Sequence, residues 1–157
     1  PGQKGAIVYL EGDTVRSAPL PITTDGTLNA LKAQAILQNW KLALPIDVEP
    51  ERWLAVVEKP PYGFGVKTNI KSIVSLHKSF EAWRILLDLH SIAWHAVTPS
   101  AWKTHFRLIG KPKGAACTMA KTWLGLELNP KSLKDQGSAD AALLALYGRQ
   151  RWTGVMP

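Results

Sequence analysis

The sequence predicts a mixed α/β domain, a sheet flanked by helices, and three observations carry that expectation. Strand-like and helix-like segments follow one another as strand, strand, helix, strand, helix, strand and then helices, a pattern that builds layers around one sheet. The 157 residues are 46% hydrophobic and 20% charged, a globular composition with enough chain for one sizeable core. No apolar run approaches the ~18 residues that a membrane span requires, and no internal repeat or low-complexity tract interrupts the chain. The expected organisation is a single domain over residues 1–157.

Each element has its own reason. Gly5 to Leu10, GAIVYL, is apolar and β-branched, and Glu11-Gly12-Asp13 turns it into a second strand near Thr14–Pro19. Pro19, Pro21 and Asp25-Gly26 mark a loop. A helix is expected from Thr27, as its cap, to about Trp40, with Leu28, Leu31, Ala35 and Leu37 near helical spacing. Pro45 and Pro50 bound another loop. Trp53 to Glu58, WLAVVE, has the continuous apolar character of a buried strand and stops at Pro60-Pro61. The loop PPYGFG precedes a long helix from about Asn69 to Leu89 whose apolar side is broader than one stripe requires. Ile92 to Val97 reads as the next strand. Pro99 opens a short helix that Gly110 and Pro112 break, and a further helix runs from about Lys113 to Leu124. After a polar loop, Ala139 to about Tyr147 is strongly helical.

Charge divides unevenly. Residues 1–60 hold six Lys/Arg against seven Asp/Glu, residues 61–99 four against two, and residues 100–157 nine against three. A basic last third is a polyanion footprint if those residues share a face, and ordinary solubility if they do not. The lone Cys117 excludes an internal disulfide or a multi-cysteine zinc site and fits a reducing compartment. The opening residues lack a signal-peptide pattern, so the expected location is intracellular: a bacterial or phage-infected cytoplasm, or an organelle nucleoid. His77, His90, His95 and His105 show no zinc spacing, and nothing near Cys117 argues for a nucleophile.

Three carboxylates stand out. Glu58 ends an apolar strand, where a side chain of an α/β sheet faces the ligand crevice or is simply solvated at the strand end. Asp140 precedes Ala141-Ala142-Leu143-Leu144 and would sit in the first turn of the last helix, where complementing the helix dipole is the commoner role. Asp135 lies five residues earlier, in the expected polar loop. Carboxylates from separate elements suit Mg²⁺ or Mn²⁺, hard cations that take oxygen ligands, and such ions serve phosphodiester hydrolysis.

Five motifs go further. PGQKGAIVYL, AVVEKPP with PYGFG, VTPSAWK, GKPKGAA and KDQGSADAALLALYG, in that order, resemble the phage and chloroplast branch of the RuvC-type Holliday-junction resolvases over nearly the whole chain. The resemblance implies an RNase H-like fold, a five-stranded mixed sheet with flanking helices, and a metal-dependent endonuclease of DNA recombination and repair that cuts four-way junctions. It makes Glu58 and Asp140 metal-binding carboxylates, with Asp135 nearby as ligand or base, and Lys113 a lysine that contacts phosphate or stabilises leaving charge. Lys103 becomes a second substrate lysine, and Tyr62 and Phe64 aromatics that stack at an opened junction or merely pack their loop. Lys67, Lys78 and Lys111 join them as nucleic-acid contacts. A homodimer is implied as well, because a two-fold substrate needs paired nicks. The Asn69–Leu89 helix is its candidate interface; burial within one subunit is the alternative.

Two departures accompany the resemblance. The first catalytic Asp of the family pattern would precede Pro1, together with most of the first strand, so the chain is expected to lack that strand. Gln136 stands where the related branch carries His in a DHGRADAL-like pattern, and an amide neither titrates near neutrality nor accepts a proton as imidazole does. These two features favour an alternative: a catalytically degenerate RNase H-fold protein that binds DNA or structured RNA without cutting, within a larger assembly.

Overall fold

The computed structural model describes residues 5–42, 53–60, 70–112 and 114–152. Their elements are β1 (Ala6–Glu11), β2 (Thr14–Pro19), α1 (Ala30–Leu42), β3 (Leu54–Glu58), α2 (Ile70–Leu89), β4 (Ala93–Val97), α3 (Pro99–His105), α4 (Ala115–Leu124) and α5 (Leu133–Trp152). This is the mixed α/β order that the sequence predicts. The described residues form four strands as two separate pairs, β1 with β2 antiparallel and β3 with β4 parallel, rather than one five-stranded sheet. Among the described residues no helix is long and apolar enough to cross a membrane. The chain divides into two compact units, residues 20–96 and residues 5–19 with 97–152.

In the unit of residues 20–96, β3 and β4 are joined through α2, the crossover that a parallel pair needs. The helix packs on β3 and α1 and turns Phe80, Trp83, Leu86 and Leu87 inward. At its end, Ile92 N–H donates to Leu87 O (2.9 Å) and Ser91 N–H to Asp88 O (3.1 Å), with Ser91 at φ 54°. That is the Schellman closure, made here with serine in the left-handed position usually given to glycine. The helix α1 starts later than expected. Thr27 is occupied in a turn, its hydroxyl donating to Asp25 Oδ1 (2.8 Å) and its carbonyl accepting from Thr23 N–H (2.9 Å). Leu28 is bridged to Ile22, and Asn29 takes over the cap, its Oδ1 accepting from Lys32 N–H at 3.1 Å.

In the other unit, β1 and β2 form a hairpin in register from Ala6↔Pro19 to Glu11↔Thr14, closed by Gly12-Asp13. Gly12 adopts φ 52°, which a two-residue hairpin turn requires at that place. The helix α5 packs across this hairpin and against α3 and α4. Its inward face is Ala139, Ala142, Leu143 and Leu146, none of them exposed at all, beside Trp102, Phe106, Cys117 and Ala120. Arg149 Nη1 also donates to Gly12 O at 2.8 Å, tying the end of α5 to the hairpin turn. Thr98 caps α3, accepting from Ala101 N–H at 3.3 Å, and Pro99 occupies the first helical turn.

The last helix corrects two expectations. It begins at Leu133, not Ala139, because Ser132 caps it: its Oγ accepts from Asp135 N–H (3.3 Å) and its carbonyl from Gln136 N–H (2.9 Å). Asp135 therefore lies in the first turn of α5, not in a loop, and Asp140 lies about two turns inside. Helix-dipole stabilisation fades within the first turn, so it accounts for Asp135 and leaves Asp140 unexplained.

Candidate functional site

Around α3 and α5 the chain brings together two residues singled out from the sequence. Lys103 Nζ lies 3.9 Å from Asp140 Oδ2, with the two side chains 36% and 42% exposed. Lys103 Nζ also sits 5.0 Å from the centroid of the Trp102 ring, and Trp102 is wholly buried. The buried indole anchors α3 and fixes where the lysine projects, and a cation over an aromatic face is favourably placed. A half-exposed lysine beside a half-exposed carboxylate is an arrangement that a phosphate or a cation can enter and reorder, because the ion pair itself is weak.

Asp135 stands apart in function. Its Oδ2 accepts from Asn129 N–H at 3.0 Å, and Asn129 Oδ1 accepts in turn from Lys131 N–H at 2.9 Å. Gln136 donates Nε2–H to Pro130 O at 2.6 Å. The stretch KDQG is thus engaged in folding the loop before α5 back onto its first turn. Gly114 meets the same loop: at φ 94°, a side chain there would place its Cβ 2.8 Å from that of Pro130. The thiol of buried Cys117 is held above its ordinary range, by burial first and then by the negative charges of Asp135 and Asp140. A thiol so disfavoured as thiolate is a packing group.

Glu58 ends β3 half-buried, in the unit of residues 20–96, followed by half-buried Lys59 and buried Pro60. Lys78 is exposed on α2 and Lys111 is exposed in the turn after α3, where its N–H donates to Leu108 O at 3.1 Å. Lys113, Tyr62, Phe64 and Lys67 lie outside the described residues.

Sequence reasoning missed Arg107. It is exposed between Lys103 and Lys111 and occupies the left-handed position that closes α3, at φ 53°. Arg107 N–H donates to Thr104 O (2.9 Å) and Leu108 N–H to Lys103 O (2.7 Å). The signal was present in the basic last third, but only the helix end shows that Arg107 is fixed in place at the backbone.

Mg²⁺ or Mn²⁺ would require oxygen ligands that converge. Among the described residues no three His, Cys, Asp or Glu groups do so. The Asp135 carboxylate accepts from Asn129 N–H, and its own N–H donates to the capping Ser132 Oγ. No protein-family model and no curated protein sequence matches the chain.

Proposed function

We propose that this chain is a structure-selective endonuclease of the RNase H-like type, similar to RuvC-type resolvases, that cuts four-way DNA junctions by paired phosphodiester hydrolysis. The observation that carries the reading is Asp140. A carboxylate two turns inside a helix, amid alanines and leucines, has neither a cap nor a dipole to serve, and it stands beside Lys103 on a buried tryptophan. The mixed α/β element order, with β1–β2 and β3–β4 as strand pairs, supports the same fold.

In this reading Glu58 and Asp140 each belong to the metal-binding machinery, and Mg²⁺ or Mn²⁺ when bound supplies water activation and charge neutralisation at the phosphate. Lys103, Arg107 and Lys111 hold the phosphate backbone, joined by Lys113, Lys67, Tyr62 and Phe64 as the resemblance implies. The protein acts as a homodimer in a reducing intracellular compartment. The test is cleavage of a four-way junction by the full-length protein with Mg²⁺ or Mn²⁺. Glu58→Gln abolishes nicking and leaves junction binding intact, since removing negative charge does not weaken attraction for phosphate. A Glu58→Gln protein that nicks at the wild-type rate refutes the assignment.

One observation favours the degenerate-binder reading. Gln136, in place of the family's His, is spent on Pro130 O, and its neighbour Asp135 on Asn129 N–H. Tight junction binding with no cleavage in either metal would establish that reading instead.

A further inference from the structure

Between α3 and α4 the chain closes one helix and makes one turn. Arg107 N–H donates to Thr104 O at 2.9 Å and Leu108 N–H to Lys103 O at 2.7 Å, with Arg107 at φ 53°. Lys111 N–H then donates to Leu108 O at 3.1 Å, closing a four-residue turn whose third residue, Gly110, has φ 73°. That is the type II form, which needs positive φ at this place. Ile109 stands at the leading corner, 59% exposed. Gly110, Lys111 and Pro112 are exposed as well, so the turn stands out from the surface. Turns favour Gly, Pro, Asn, Asp or Ser, and a β-branched apolar side chain serves none of the reasons that place those residues there. Single exposed apolar residues are common on proteins. This one is carried on a hydrogen-bonded turn between two exposed cations, Arg107 and Lys111. The neighbouring sequence continues the charge: residues 97–126 include Lys103, Arg107, Lys111, Lys113 and Lys121 and no Asp or Glu.

We propose that the Ile109 turn is a wedge that enters the minor groove of a duplex DNA arm and opens a base step there, with Arg107 and Lys111 on the phosphates to either side. Charge and shape select this occupant. A basic run without carboxylates calls for a polyanion. A protruding turn with one apolar side chain does not enclose a ligand; it enters a gap in its partner. An anionic lipid surface offers such a gap, but binding there scales with buried apolar area, and one isoleucine supplies little. A base step needs only one side chain. Minor-groove proteins insert single apolar wedges between base pairs and use Arg or Lys beside them. Burial of the isoleucine is set against the cost of unstacking, so the stiffness of the step decides where the wedge enters. Pyrimidine–purine steps, TA and CA/TG, are the easiest to open. Ile109 thereby selects sequence without hydrogen-bonding a base. Gly110 maintains the corner that presents it: a Cβ at Gly110 would meet no atom within 4 Å, so glycine serves the positive φ and not a close approach. The inference rests on the junction-DNA reading above for its substrate and on this turn alone for its geometry.

The test uses the full-length protein, with metal chelated, and four-way junctions whose GC-rich arms hold a single TA step. The adenine of that step is 2-aminopurine, which brightens when it unstacks, and the step is moved stepwise along one arm. The wild type brightens the probe severalfold at one position. It binds that junction about fivefold more tightly than one with an A-tract at the same place, because A-tracts are stiff. Ile109→Ser abolishes both effects and leaves the slope of log K against log salt unchanged, since the side chain contacts no phosphate. Ile109→Leu keeps them. The exposed position lets both variants fold as the wild type does. A wild type that binds junctions without brightening the probe at any position overturns the proposal, as does an Ile109→Ser protein that brightens it fully. Binding to phosphatidylglycerol vesicles that Ile109→Ser abolishes, with no brightening on DNA, assigns the turn to lipid and overturns it too. Junction cleavage without brightening removes the wedge and leaves the nuclease reading standing. Brightening that depends on Ile109, in a protein that cleaves nothing with Mg²⁺ or Mn²⁺, does the reverse.

Discussion

Replacing Asp140 and Asp135 separately distinguishes a carboxylate held for chemistry from one held for folding. Asp140→Asn keeps the size of the side chain and removes its charge. The stability at stake is set by Lys103, 3.9 Å away. Two unit charges at that distance attract by about 1 kcal/mol in water, and half-exposed pairs retain a few tenths to about 1 kcal/mol of it. For a chain of this length that is a fall in Tm of at most about 4 °C. Asp135→Ala removes both the acceptor for Asn129 N–H and the first-turn charge of α5. These are worth about 1–2 kcal/mol together, a fall of about 3–6 °C. Activity moves the other way. Asp140→Asn reduces junction cleavage at least about 100-fold, since lost electrostatic stabilisation of a developing charge costs about 3 kcal/mol in the transition state. Asp135→Ala, assayed well below its Tm, cleaves within about threefold of wild type because its carboxylate is committed to Asn129 N–H. Thermal melts paired with single-turnover cleavage read both effects. An Asp140→Asn protein that melts as early as Asp135→Ala and still cleaves normally would show Asp140 to be structural, and the reasoning would fail.

Three further outcomes follow from the geometry. Ser91→Gly stabilises the fold by about 0.5–1 kcal/mol, because φ 54° costs serine more than glycine, and a denaturant midpoint that does not rise refutes this. Tyr9 is pushed up to about 12, chiefly by burial and then by its hydrogen bond and proximity to Glu11. An unfolded tyrosine ionises near pH 10 while the folded one holds its proton, so the stability this group contributes is complete below pH 10 and lost as pH rises toward 12. Denaturant melts of Tyr9→Phe from pH 9 to 12 should lack that alkaline decline, and a decline unchanged from wild type would exclude Tyr9 as its source. Arg107→Ala and Lys111→Ala each lower the slope of log K against log salt for junction DNA by ~0.9 if each contacts one phosphate. An unchanged slope would remove that residue from the interface.

The order of elements is legible in the sequence because β1 and β3 are apolar runs closed by Gly or Pro, and β2 follows from the turn after β1. The strand end at Glu58 was readable for that reason, and so was the two-residue turn at Gly12-Asp13. Helix starts were less legible, since several residues near each start are able to cap it. Thr27 looked like the cap of α1, but its hydroxyl is taken by Asp25 and the turn around it, and Asn29 does the capping. Before α5, Lys134 to Ser138 shows no apolar period, so periodicity alone starts the helix at Ala139. The pattern Ser132-x-x-Asp135 was the available signal, and its cost to the site was direct: it puts Asp135 in the first turn of α5 and Asp140 about two turns inside.

The surplus of apolar residues on α2 was equally visible in sequence, but periodicity reports how much of a helix is apolar and not which part the chain covers. Trp83, Phe80 and Leu87 fill the covered face, so the exposed set is defined only once burial is known.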